Sequence, residues 1–232
     1  MSTSFLNQAE SRRRFLQMGA AGAVAGLLTG GLELALPPAV RAQSALTPDA
    51  ALAELMAGNQ RFITGRMTSN EHDLAILKEK TIDKQEPFAA LLSCADSRVP
   101  VELIFDQTIG HLFVTRIAGN FVTPEIIASL EYAVAVLGIK ALLVLGHTGC
   151  GAIKAAMKAD PVPGQISTLY QHLQPAVKQA DGNVDKATSI NAALQADLLR
   201  TSSTVIRDAA KAGNLKVESG VYDLSTGKII VT

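Results

Sequence analysis

The chain has 232 residues, 48% of them hydrophobic and 18% charged, with 21 Lys+Arg against 21 Asp+Glu. That balance excludes a disordered chain, and zero net charge removes the electrostatic case for binding nucleic acid. Two cysteines are too few to staple a miniprotein, so what remains is one compact, neutral domain with very few soft ligands.

The first 42 residues read as an address rather than as fold. Ser11-Arg12-Arg13-Arg14-Phe15-Leu16 opens a Gly- and Ala-rich apolar stretch from Met18 to Leu36, Pro37-Pro38 follows, and Val40 and Ala42 are small residues placed for cleavage before Gln43. Charged, apolar and small-residue regions in that order make an export signal, and the arginine pair is of the twin-arginine type. Gln17, Thr29 and Glu33 interrupt the apolar stretch and argue against a membrane-spanning anchor. Cleavage after Ala42 removes four Arg and two Glu and leaves 17 basic and 19 acidic residues in a mature chain of residues 43–232. The expectation is a periplasmic or otherwise exported protein with no stable membrane insertion once the signal is gone.

In the mature chain, Thr47-Pro48-Asp49 reads as a helix start, with a capping hydroxyl, Pro at the first position and an acid in the first turn. That helix runs through Leu52, Leu55 and Met56, breaks at Gly58 and resumes through Phe62. The stretch from Glu71 to Lys84 is polar and reads as loop or partial helix. Phe88 to Cys94, Leu112 to Ile117 and Ala141 to Gly146 are short apolar runs of buried-strand type. Between the last two, Thr123-Pro124-Glu125 caps a helix with Ile126, Ile127, Leu130, Ala133, Val134 and Leu137 at helical spacing. A further helix spans Cys150 to Lys158, and Gln165 to Ala212 is helical with a break at Gly182-Asn183. Leu215 to Tyr222 and Lys228 to Val231 flank a turn and read as a closing hairpin or edge pair. The alternation predicts a single α/β domain, a mostly parallel central sheet flanked by helices.

Two segments sit at the C-terminal ends of predicted strands, where open parallel sheets bind ligands. They are Cys94-Ala95-Asp96-Ser97-Arg98 and His147-Thr148-Gly149-Cys150. Two thiolates and one imidazole favour Zn²⁺, and three protein ligands would leave the fourth tetrahedral position open, as in catalytic rather than structural sites. Other readings stand beside this one. Two cysteines in an exported chain are equally one disulfide, a strand-end Cys is commonly a small buried hydrophobe, and His-x-x-Cys alone is a weak signal. A nucleotide-binding α/β protein fits poorly, because no Gly-rich phosphate loop follows the first strand.

The combination is specific. Cys94-Ala-Asp96-Ser97-Arg98 and Gly146-His147-Thr-Gly-Cys150-Gly151, together with Arg116-Ile-Ala-Gly-Asn120 and Ser129-Leu-Glu-Tyr132-Ala133, resemble the signature segments of the β-class carbonic anhydrases. The resemblance implies zinc on Cys94, His147 and Cys150, an acid–base dyad of Asp96 and Arg98 beside it, and hydration of carbon dioxide to bicarbonate. It implies a homo-oligomer, a dimer or dimer of dimers with active sites at the subunit interface and the N-terminal helical arm packed on a partner. It also matches Gln85 to a substrate hydrogen-bond donor, and Phe113 and Tyr132 to an apolar pocket lining, with Tyr132 reaching the neighbouring subunit. The same motifs serve hydrolases of carbon dioxide analogues such as carbonyl sulfide or carbon disulfide. A regulated subclass uses a tryptophan that this chain lacks. His72 and His111 have the chemistry of proton shuttles, and the motifs assign neither.

Overall fold

A computed structural model describes residues 44–69 and 81–232. The expected signal segment and His72 lie outside the described residues. The element order is α1 (Pro48–Ile63), β1 (Ala89–Ser93), α2 (Val101–Ile104), β2 (Leu112–Arg116), α3 (Pro124–Ala135), β3 (Ala141–His147), α4 (Gly151–Lys158), a 3₁₀ turn (Ile166–Leu169), α5 (Tyr170–Lys178), α6 (Val184–Ser202), α7 (Thr204–Lys211), β4 (Lys216–Tyr222) and β5 (Ile229–Val231). The strands form one sheet in the order β2-β1-β3-β4-β5. The first four are parallel, and only β4 and β5 pair antiparallel. This is the predicted α/β architecture, with the expected edge pair joined to the sheet through β3.

Every residue of β1 and of β3 is buried, which explains why both read as continuous apolar runs rather than alternating ones. Successive side chains leave opposite faces. Ala90, Leu92, Leu142 and Val144 pack against Leu130 and Val134 of α3 and Ala196 and Leu199 of α6. Ala89, Leu91, Leu143 and Leu145 pack on the other face against α1 and α2. Helix α1 is capped as predicted, Thr47 accepting from the Ala50 N–H, and it buries Ala51, Leu55, Gly58 and Asn59.

Three local differences from the sequence reading have identifiable causes. Helix α1 passes through Gly58 without a break, because α1 packs so closely there that a Cβ would lie 1.8 Å from the Phe105 carbonyl oxygen. The buried face of α1 covers this subunit's own sheet through Leu55 and Ala51, so any face it offers a partner is the opposite one. The helical tail breaks a second time at Ser203, which ends α6 and whose hydroxyl caps α7 by accepting from the Ile206 N–H.

Register places the chemistry. Ser93 pairs with Arg116 and with Leu145, and His147 pairs with Tyr222, so β1, β2 and β3 end at one edge of the sheet. From β1 the chain crosses to β2 on one side, and β3 then lies on the other side of β1. Strands β1 and β3 therefore flank the switch point where open α/β sheets form their crevice.

Candidate active site

The turns that leave β1 and β3 bring three soft donors together. Cys94 follows β1 directly, His147 closes β3, and Cys150 is the residue from which α4 starts. All three are buried, and their Sγ, ring-nitrogen and Sγ atoms lie within 4.8 Å of one another. Gly149, at φ 65°, makes the turn between the last two, and its N–H donates to Asp185 at the start of α6.

The donors are tuned by their neighbours. His147 Nδ1 lies 3.0 Å from the Thr148 carbonyl oxygen; a carbonyl can only accept, so the ring carries its proton on Nδ1 and turns a lone pair outward from Nε2. Nε2 is fully buried and has no hydrogen-bond partner, an orphaned acceptor of the kind a metal satisfies. The Cys94 thiol is shifted well below its ordinary range, chiefly by a hydrogen bond from Cys150; burial opposes this, while the Gly119 N–H adds to it. Cys150 is pushed up in turn, by its bond to Cys94 and by burial. Two sulfurs this close carry one negative charge easily and a second only beside a cation, so the donor set fits a thiophilic dication such as zinc.

Asp96 and Arg98 stand at the rim. Arg98 Nε and Nη2 donate to the two carboxylate oxygens of Asp96 at 2.9 and 2.8 Å, and the Arg98 backbone N–H adds a third bond at 3.0 Å. The guanidinium holds the Asp96 carboxyl far below the usual carboxylate range. Asp96 Oδ2 lies 3.7 Å from His147 Nε2, so the carboxylate faces the metal position while both its oxygens are engaged by Arg98.

Two supports were not assigned from the sequence. Arg116 Nε donates to the Cys94 carbonyl at 2.9 Å and its Nη2 to the Asp96 carbonyl at 2.6 Å, clamping the backbone that carries ligand and dyad. The Gly119 N–H donates to Cys94 Sγ at 3.3 Å. Both lie in the Arg116–Asn120 segment, whose signal was present as a motif without a role.

Gln85, Phe113 and Tyr132 form a separate group. The Phe113 and Tyr132 rings lie 6.3 Å apart. Gln85 and Tyr132 line an open depression of about 460 Å³, with Thr81 and Val136, that includes none of Cys94, Asp96, His147 or Cys150. His111 precedes β2, at the end of the sheet away from the ligands, edge-on to Phe88.

A family model described as carbonic anhydrase matches residues 89–229, from the first residue of β1 to the first of β5. The chain belongs to the β-carbonic anhydrase family. It is 33% identical over 196 residues to carbonic anhydrase 2 of Mycobacterium tuberculosis, covering 79% of this chain and 92% of that one. Among solved structures, the β-carbonic anhydrase CcaA superposes with a TM-score of 0.62 at 27% identity, over 78% of this chain and 86% of that one. A tetrameric β-carbonic anhydrase from Sordaria macrospora shares the fold with a TM-score of 0.62 at 24% identity, over 78% of this chain and 95% of that one.

Proposed function

We propose that the protein catalyses the reversible hydration of carbon dioxide to bicarbonate and a proton, using one zinc ion per subunit held by Cys94, His147 and Cys150. The observation that carries this is the convergence of three buried soft donors with an ionised, arginine-held carboxylate at one sheet edge. Family membership supports it. Zinc, when bound, supplies the Lewis acidity that makes water a nucleophile near neutral pH.

The chain's own residues do the rest. Asp96, ionised and therefore acceptor only, takes the hydrogen of a water molecule in front of the ligands and turns its lone pair toward the carbon of the substrate. Arg98 keeps the carboxylate charged and, by occupying both oxygens, keeps it from swinging onto the ligand cluster. Arg116 fixes the backbone between Cys94 and Asp96, so that ligand and dyad keep their mutual position. The substrate is small and apolar, which suits a narrow pocket lined by rings such as Phe113 and Tyr132, with Gln85 as a single donor. Those three complete the site of a second subunit in this reading, which makes the active species a homo-oligomer, a dimer or a dimer of dimers. In this reading the mature chain begins at Gln43 after twin-arginine export and works in the periplasm or is otherwise exported.

The test is zinc content read beside stopped-flow hydration. The wild type is expected to hold one zinc per subunit and to hydrate carbon dioxide. Cys150→Ser should lose zinc and activity together. Full zinc and full activity in that variant would remove Cys150 from the ligand set, and hydrolysis of carbonyl sulfide without carbon dioxide hydration would reassign the reaction.

A further inference from the structure

Asn191 and Gln195 lie about one turn apart on α6, both buried although polar. Asn191 Nδ2 donates to the Gly119 carbonyl at 2.9 Å. Its Oδ1 accepts from Gln195 Nε2 at 3.3 Å, and Gln195 Oε1 accepts from the Val122 N–H at 2.8 Å. Buried amides are unfavourable unless bonded, and this pair bonds to one target, the loop that follows β2. That loop delivers the Gly119 N–H to Cys94 Sγ on its other side. Gly119 sits at φ 90°, and an added Cβ would meet Leu173 at 3.0 Å and Ala152 at 3.3 Å. The two bonds fall on adjacent peptide planes joined at Gly119, whose left-handed backbone is a conformation a free chain has no reason to keep, so holding the carbonyl from outside also holds the N–H.

We propose that Asn191, backed by Gln195, is a positioning residue that fixes the Gly119 amide on the Cys94 thiolate and so sets the donor strength of that sulfur toward its metal. This rests on the reading of Cys94 as a metal ligand. A hydrogen bond to a thiolate draws electron density from sulfur. Two thiolates give a metal more charge than two imidazoles would, so an N–H at one sulfur restores part of the acidity that catalysis needs. A polar pair on a helix 72 residues further along the chain then acts on the metal without touching it.

Cobalt(II) reports on its sulfur ligands through a sulfur-to-metal charge-transfer band, which a general loss of stability does not move. Wild type, Asn191→Ala, Gln195→Met and Leu199→Ala are to be loaded with Co²⁺, and band energy and metal affinity by chelator competition read for each. In Asn191→Ala the band is expected at lower energy because the sulfur regains electron density, while affinity falls about 10- to 100-fold because the outer contact no longer orients the ligand. Gln195→Met keeps the Asn191–Gly119 bond but removes its backing, and should shift the band less and in the same direction. Leu199→Ala weakens α6 on its sheet-facing side and should leave the band in place. An unmoved band with unchanged affinity in Asn191→Ala overturns the proposal, as does an equal shift in Leu199→Ala. Should Asn191→Ala not fold, Gln195→Met decides alone, and no shift there overturns it. A wild type that binds cobalt through sulfur yet hydrates no carbon dioxide sinks the proposed activity and leaves this inference standing; one that binds neither zinc nor cobalt sinks both.

Discussion

Asp96 is the residue that tests whether the proposed metal is catalytic or structural, because its carboxylate faces Cys94, His147 and Cys150 without joining them. Asp96→Asn is nearly isosteric and leaves Cys94, His147 and Cys150 untouched, so zinc content should stay at one per subunit. The amide lacks the charge that holds Arg98 and that favours accepting from water. Losing a charge-assisted hydrogen bond costs about 1.5–3 kcal/mol, roughly a ten- to hundredfold fall in hydration rate. Arg98→Ala should be worse still, since the freed carboxylate loses the partner that keeps it low and can turn onto the ligands. Normal zinc with unchanged rates in both variants would reduce the dyad to a surface ion pair. These residues were legible in the sequence because each motif is contiguous and leaves a strand end, which folds it toward one point. Arg116 and Asn191 were not legible in their roles. They act on backbone atoms of other segments, and no spacing in the chain encodes where a carbonyl 72 residues away will point.

Helix α1 is anchored by a buried carboxylate rather than by apolar contact alone. Asp106 follows α2 at φ 46°, with its side chain fully buried. It accepts from Arg61 Nε at 2.5 Å and from the backbone N–H groups of Thr68 and Ser69 at 3.0 and 2.9 Å. Burial alone would raise its pKa; the hydrogen bonds from Arg61 and from the Ser69 and Thr68 amides outweigh it and hold the carboxyl well below the usual range. A carboxyl lowered in the folded state contributes stability that is complete above its unfolded pKa of about 3.9 and is lost as pH falls toward the folded value. Asp106→Asn keeps shape and tolerates the left-handed backbone, and it removes the charge together with one of the two accepting oxygens. It should cost about 1.5–3 kcal/mol near pH 7, with the gap to wild type closing below about pH 4. Denaturant unfolding of both proteins across that range checks this; a pH-independent gap would mean the charge contributes nothing. The elements themselves were readable, since Thr47-Pro48 and Thr123-Pro124 announce two helices and apolar runs announce the buried strands. The continuity of α1 through Gly58 was not, because it depends on a carbonyl from the end of α2, where a lone Gly reads as a break.

In the proposed reading Gln85, Phe113 and Tyr132 complete the site of a neighbouring subunit, and the topology is what motivates it. Phe113 is the second residue of β2 and Arg116 the last; at about 3.3 Å per residue Phe113 lies roughly 10 Å from the edge where Cys94, His147 and Cys150 gather. Tyr132 leans on Phe113, and with Gln85 and Val136 it lines a depression that contains no metal ligand. Tyr132 is 47% exposed and Val136 52%, two apolar side chains one turn apart beside the same depression. A two-fold partner could cover this patch and bring its rings to the other subunit's ligands, each site being lined across the interface. Obligate interfaces of that kind bury about 2,000 Å² or more and are apolar at their centres. The mature protein should therefore sediment at micromolar concentration without a monomer. Val136→Asp would place an unpaired charge in the contact, whose burial is strongly unfavourable. That variant should shift toward monomer while keeping its zinc, and its hydration rate should fall in step with the fraction dissociated. Zinc retained with activity lost on dissociation is the signature of a site completed in trans. A monomeric variant with full activity would instead put the whole pocket inside one subunit, and would return Gln85, Phe113 and Tyr132 to ordinary surface packing.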